Sequence, residues 1–238
     1  MSPPRPYTPH PYTPHPYTPH PSTPHRQLAA LLDRQAGVVG RAQALAAGLG
    51  PREVDRLLAR RVWRPLHPRV YLAAGHPLTD EARVRAAALW AGDGAVVVGA
   101  AAVWWHGLEA RAPGTVAVAV PRRRPAARPG VTVRRHLLPP GDVVTLRGLA
   151  VPVRPLALLD AAVEAGSGGA ALLRRALGDD VGLTEGELRA VAASPAGSAT
   201  AARLIAAVTG TGGADIVTSA PPPPVGEWLR SRNRYSEL

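Results

Sequence analysis

The sequence lacks several residue types altogether, and each absence removes a class of protein or site. None of the 238 residues is cysteine, so disulfide bonds and thiolate metal sites are excluded. Phenylalanine is also absent and aromatic residues make up only 4%, so a core must be built from Ala, Val and Leu. No apolar run reaches the ~18 residues of a membrane span, and the N-terminus lacks the apolar stretch of a signal peptide. These features predict a soluble, cytoplasmic protein.

Lysine is missing as well, so all 28 basic residues are Arg, and together with 17 acidic residues they give a net charge of +11. The excess is uneven along the chain. Residues 26–75 carry nine Arg and three acidic residues, a net +6. Residues 76–165 carry a net +4, and residues 166–238 balance to zero. A basic excess concentrated in one short segment favours a polyanionic partner such as nucleic acid.

A proline-rich repeat opens the chain. The unit Pro-Tyr-Thr-Pro-His occurs three times from residue 6, and a fourth copy at 21–25 has Ser in place of Tyr. Proline at two of every five positions blocks both helix and sheet, so residues 1–25 are predicted to be a disordered, partly polyproline-like tail. The evenly spaced His residues could bind a metal ion loosely, but a solvated repeat is the favoured interpretation. We predict no metal site and no cofactor.

Residues 26–75 contain three short helical patterns followed by the pattern of a β-hairpin. The first helix ends at Gly37, and a second is predicted at Arg41–Ala47. The third is predicted at Pro51–Arg60, with proline at the first helical position, where its missing N–H costs nothing. Val62–Tyr71 then has β-formers at both ends and a turn between them. Three helices and a hairpin in this order are typical of a winged helix-turn-helix.

The third of these helices separates apolar residues from charge. Val54, Leu57 and Leu58 are predicted to be buried on one side. The opposite side carries an arginine every four residues: Arg52, Arg56 and Arg60. A helix anchored by its apolar side can enter the major groove, where Arg recognises guanine edges or phosphates. The alternative is an ordinary amphipathic helix with a solvated Arg side.

Other arginines complete the predicted DNA-binding set. Arg64 and Arg69 lie on the hairpin, or wing, and are expected to contact phosphates, while Arg41 begins the second helix. A second basic patch is formed by Arg122, Arg123 and Arg124. This patch is predicted to bind phosphate or face a protein partner, and the competing interpretation is a solvated hairpin tip.

From residue 76 the pattern changes to helices followed by strands, which predicts a small α+β domain over 76–165. Thr79 is expected to cap a helix that ends near Trp90, and another helix is expected at Gly99–His106. Strands and a closing helix are predicted at Val116–Val120, Val131–Arg135, Val143–Leu146, Leu149–Val153 and Pro155–Val163. Ala-rich helices at about 168–177, 184–193 and 199–208 form a helical extension over 166–208, and residues 209–238 form a disordered or remnant tail. The Trp104-Trp105 pair is interpreted as helix packing rather than as a platform for bases.

Several segments, in this order and spacing, resemble AbiEi-type antitoxins of type IV toxin–antitoxin systems. The resemblance covers about residues 27–165. The segments that carry it are Gln35–Val39, Arg41–Leu49, Trp63–Tyr71, Pro77–Thr79, Trp104–Leu108, Val120–Arg124, Gly148–Pro152 and Leu158–Asp160. The sequence departs from the pattern at Gly40 and Gly50, where hydroxyl residues usually precede the second and third helices, so both positions are expected to be weaker N-caps.

The resemblance implies a fold and a function. The implied fold is an N-terminal winged helix-turn-helix at 26–75, within an α+β protein. The implied function is sequence-specific binding of double-stranded promoter DNA, transcriptional repression, and a role as antitoxin beside a nucleotidyltransferase-like toxin. No membrane partner is expected.

Two other functions compete with the repressor interpretation. Many relatives carry a C-terminal domain resembling very-short-patch repair endonucleases, and Pro224–Arg230 resembles the entry to that domain. Such nucleases hold a divalent cation with an acidic pair and usually place a Lys beside the phosphate, and this chain has no Lys. It would then be a truncated and inactive copy, so no enzymatic activity is predicted. The remaining alternative is a protein-interaction adaptor whose basic side binds an acidic partner.

Overall fold

The computed structural model describes residues 23–121, 128–135, 137–178, 183–193 and 199–209, and these residues form both helices and strands. The protein is therefore of the α+β class, as predicted. None of the helices in these ranges is both long and apolar enough to cross a bilayer. Two predicted segments lie outside the described residues: the tail at 209–238, apart from Thr209, and most of the proline-rich repeat.

Residues 23–73 alternate three helices with a three-stranded antiparallel sheet. The sheet has the order β1-β3-β2, so the last strand lies between the other two. The elements are α1 (Thr23–Arg34), β1 (Val38–Gly40), α2 (Arg41–Ala46), α3 (Pro51–Ala59), β2 (Trp63–His67) and β3 (Val70–Ala73).

The predicted elements of this part are confirmed, with one correction at its start. Helix α1 begins at Thr23, inside the last repeat, so the predicted disordered tail is too long by three residues. Pro24 is the second residue of the helix, and proline is tolerated in the first turn because no intrahelical N–H bond is lost there. The helix ends as predicted before Gly37, whose φ of 78° is costly for other residues.

An apolar cluster holds α3 on the sheet. Its buried members come from the first three helices, the connection between α2 and α3, and all three strands: Leu28, Val39, Ala44, Leu49, Val54, Trp63, Tyr71 and Ala73. The Trp63 and Tyr71 rings stack with their centroids 5.7 Å apart. Because Val54 is completely buried in this cluster, the rotation of α3 about its own axis is fixed.

Helix α4 (Asp80–Ala91) connects this part to the rest of the chain. It begins as predicted, with the Thr79 hydroxyl accepting a hydrogen bond from the Ala82 N–H at 3.1 Å. Ala82 and Ala86 pack under the first sheet, while Val84 and Ala87 belong to a second apolar cluster. The helix therefore contributes to two cores at once.

The second core is built from a mixed sheet, a hairpin and further helices. In the sheet β4-β5-β6, the first pair is antiparallel and the second parallel, and β7 pairs with β8 in the hairpin. The elements are β4 (Val96–Val98), α5 (Gly99–Trp105), β5 (Val116–Val120), β6 (Val131–Arg135), β7 (Val143–Leu146), β8 (Leu149–Pro152) and α6 (Arg154–Glu164). The predicted strands and helices of this region are confirmed, and the short β4 is an additional one.

Three more helices complete the described chain: α7 (Gly169–Gly178), α8 (Glu185–Ala192) and α9 (Ala199–Thr209). They were predicted as an extension beyond residue 165. Leu173, Leu188 and Ile205 are buried in the same cluster as Val118 of β5. The helices are thus an integral part of the second core.

Candidate nucleic-acid interface

Helix α3 presents arginines to solvent and apolar residues to the core. Val54 is completely buried, and Leu57 and Leu58 are half-buried against the first cluster. The exposed side carries Arg52 and Arg56, and the exposed Arg60 follows at the C-cap; these three residues are called here the arginine face. The division of the helix inferred from residue spacing therefore holds in three dimensions.

The arginine face keeps its positive charge available. Within the described part of the chain, no ion pair involves Arg52, Arg56 or Arg60. The carboxylate of Asp55 lies on the same helix but is paired with Arg41 of α2. A guanidinium without a protein carboxylate partner can give all of its donors to an external acceptor such as phosphate or guanine.

The Arg41–Asp55 pair connects α2 to α3. Arg41 Nη1 donates to Asp55 Oδ1 at 2.7 Å, and the side chains are 26% and 61% exposed. This hydrogen bond, followed by one to Tyr71, raises the pKa of Arg41 above its ordinary value. An exposed pair of this kind contributes little to stability, so its main effect is to fix the orientation of both side chains. Arg41, predicted as a DNA contact, thus also connects two helices.

The start of α2 is held by a pair of glutamine side chains. Gln35 and Gln43 exchange two amide hydrogen bonds, each of 3.0 Å. Gln43 Oε1 also accepts from the Gly40 N–H at 3.0 Å, and Gln35 Nε2 donates to the Val38 carbonyl at 2.9 Å. Gly40 has no side chain to cap the helix, and Gln43 instead satisfies the N–H of the capping residue. The weak N-cap expected at Gly40 is therefore compensated from within the helix.

The β2–β3 hairpin lies beside these helices and carries two of the predicted phosphate contacts. Arg69 is exposed in the two-residue turn, with a φ of 63°, and its carbonyl accepts from the Arg41 N–H at 2.7 Å. The turn is thereby joined to the start of α2. Arg64 is exposed near the other end of the hairpin, where it pairs with Leu72. The structure therefore brings Arg41 and Arg69 together and places Arg64 apart from them.

One exposed basic residue just after the C-terminal end of α3 is not among the predicted DNA contacts. Arg61 is exposed with a φ of 57°, and it lines a shallow cleft together with Arg64 and His76. The Nδ1 atom of His76 is buried and has no hydrogen-bond partner within the described ranges. The consecutive Arg60 and Arg61 at the helix end were the available signal.

The remaining predicted features concern the second basic patch and the tryptophan pair. Arg122, Arg123 and Arg124 lie outside them. Trp105 is 1% exposed and its Nε1 donates to the Leu146 carbonyl at 2.8 Å, which confirms its interpretation as a packing residue. In the described ranges, no group of three or more His, Asp or Glu side chains is arranged to hold a metal ion.

No protein-family model matches the chain, and no curated protein matches it. Among solved structures, it is similar to the crystal structure of the RV2827C protein from Mycobacterium tuberculosis, with a TM-score of 0.50 and 19% sequence identity. The similarity covers 88% of this chain and 81% of the mycobacterial protein. At this identity the similarity concerns the fold alone.

Proposed function

We propose that the protein is a sequence-specific repressor that binds double-stranded DNA and belongs with the AbiEi-like antitoxins. In this proposal residues 26–75 act as a winged helix-turn-helix. One observation carries it: α3 buries Val54 completely while Arg52, Arg56 and Arg60 stay exposed without an ion pair in the described part of the chain. A binding protein, rather than an enzyme, is what this arrangement supports.

The order and pairing of the first elements support the winged-helix assignment. Helices α2 and α3 are adjacent and joined by residues 47–50. The hairpin that follows α3 pairs with β1, the strand that precedes α2. In proteins of this plan the second helix of the pair enters the major groove. Helix α3 occupies that place here, and Arg on its exposed side can donate two hydrogen bonds to guanine.

The hairpin supplies the expected contacts to the DNA backbone. Arg69 is positioned in the turn next to α2, and Arg64 is exposed on β2. Each phosphate neutralised by such a residue releases counterions, which makes the affinity fall as salt rises. Arg41 is proposed to contact phosphate with the part of its guanidinium that Asp55 does not occupy.

The regulatory role is proposed from the resemblance over residues 27–165. Repression of promoter DNA and neutralisation of a nucleotidyltransferase-like toxin are the properties that the resemblance implies. The basic charge of residues 26–75 is consistent with the DNA part of that role.

The decisive experiment titrates the full chain against the DNA upstream of its own gene at several salt concentrations. Specific binding should survive an excess of random duplex and weaken steeply with salt. Arg56→Ala should reduce discrimination against wrong sequences by roughly 5- to 100-fold, because a bidentate base contact is lost. Arg69→Ala should instead lower affinity for all sequences and reduce the salt slope by about one unit.

Arg174→Ala is the matched control, since Arg174 carries the same charge and lies on the exposed side of α7, a helix that packs in the second core. It should leave both affinity and discrimination unchanged. Equal affinity of the native chain for every duplex would refute the repressor. Equal affinity for DNA and for an acidic polypeptide would favour the adaptor instead.

A further inference from the structure

Next to the arginine face, the exposed side of α3 carries one residue of the wrong sign for a surface that binds a polyanion. Asp55 follows Val54 on α3, between Arg52 and Arg56 along the chain, and its side chain is 61% exposed. Phosphates repel a carboxylate at this position, so Asp55 lowers the affinity for any duplex. A residue with this cost must be explained either by packing or by recognition.

The geometry of Asp55 combines a fixed orientation with an unused acceptor. Oδ1 is held by Arg41 Nη1 at 2.7 Å, and within the described residues no hydrogen bond is made to Oδ2. The pairing with Arg41 partly neutralises the carboxylate, which reduces its repulsion by the DNA backbone. Because the side chain is 61% exposed, the second oxygen is left for a donor outside the protein.

In the major groove, the amino group of cytosine is the donor that suits a carboxylate. Guanine offers only acceptors there, and these match the neighbouring arginines. We infer that Asp55 is a specificity-determining residue that accepts a hydrogen bond from the N4 amino group of a cytosine, while Arg41 acts as the positioning residue that holds it. This inference rests on the proposed DNA-binding function and narrows the operator to one with a cytosine, next to guanine, under α3.

The test is selection of binding sites from a random duplex library by the full chain and by three variants. The native chain should select sites with a cytosine at one position. Asp55→Ala should lose about tenfold in discrimination at that position and bind random duplex more tightly, because the repulsion is removed. Asp55→Asn should change the selected base to adenine, since an amide pairs with adenine through two hydrogen bonds.

Asp33→Asn is the matched control, because Asp33 is an exposed acid on α1 and its substitution removes the same charge. It should select the same sites as the native chain. If both Asp55 variants also select those sites, the inference is overturned and Asp55 serves only to hold Arg41 in place. In that case the variants should show a lower thermal unfolding temperature and the same loss of affinity for every sequence. If the native chain itself selects nothing, the proposed function fails and this inference fails with it.

Discussion

Asp142 illustrates how a single residue can be held in an unfavourable state by its surroundings. It ends a short 3-10 helix before β7, and only 6% of its surface is exposed. Burial raises the pKa of its carboxyl above the ordinary value, because the charged form is poorly solvated there. Its backbone is well bonded, since the carbonyl accepts from the Val153 N–H at 2.8 Å. The backbone requirement therefore fixes the position, and the ionised side chain carries a cost.

The raised pKa of Asp142 predicts that the stability of the protein depends on pH. The pKa of Asp142 is higher in the folded protein than in the unfolded chain. The contribution of Asp142 to stability is therefore fully present below its unfolded-state pKa and is lost as pH rises through its folded-state pKa. Asp142→Asn should therefore raise the free energy of unfolding at pH 7 and remove that loss. The measurement is urea denaturation at a series of pH values between about 3 and 7. Asp93→Asn, at an exposed acid, is the control, and destabilisation of Asp142→Asn at pH 7 would contradict the prediction.

At the scale of elements, the orientation of α2 and α3 depends on polar contacts between them and their neighbours. The Gln35–Gln43 pair links the residue after α1 to α2, and the Arg41–Asp55 pair links α2 to α3. Helix α2 has only six residues, too few to be stable by itself. These contacts, together with the burial of Ala44 in the first cluster, therefore hold it at a defined angle to the arginine face.

We predict that Gln43→Ala destabilises the fold by about 1–2 kcal/mol, because it removes the N-terminal cap of α2 and leaves Gln35 Oε1 without the amide donor of Gln43. Unfolding in urea measures the loss. Gln27→Ala, at an exposed glutamine of α1, should change stability by less than about 0.5 kcal/mol. Equal effects of the two substitutions would show that the glutamine pair does not contribute to stability.

At the scale of the whole molecule, α4 makes the two cores dependent on each other. Its small residues pack on one side under the first sheet and on the other side within the second cluster. A helix buried on two sides cannot keep its place when either core is lost. The candidate interface is therefore supported by residues far from it along the chain.

This arrangement predicts cooperative unfolding of both cores. Leu158→Ala, at a completely buried position of α6, should cost about 2–5 kcal/mol. The free energy that protects the amides of β3, on the far side of α4, from hydrogen exchange should fall by the same amount. Val163→Ala on the exposed side of α6 is the control and should leave β3 unchanged. Unaltered protection of β3 in Leu158→Ala would mean that the cores unfold independently.

Much of the fold was predictable because the patterns that specify it are local. Pro51 places the start of α3, Thr79 caps α4, and the valine-rich runs form the strands where they were predicted. The three-residue strands β1 and β4 were missed, since a segment of this length has no periodicity to detect. The four-residue repeat of arginines likewise specified the exposed side of α3 before its neighbours were known.

The sequence alone determined which residues of α3 are apolar and which are charged, because helical periodicity places them on opposite sides. Only the tertiary structure decided how that charge is used. Arg41 and Asp55 are 14 positions apart in the chain, and Gln35 and Gln43 are eight positions apart. Packing of α1, α2 and α3 brings these partners together, and no local pattern encodes that packing. Burial of Asp142 has the same origin, since solvent access is a property of the assembled core rather than of the residues beside it in the chain.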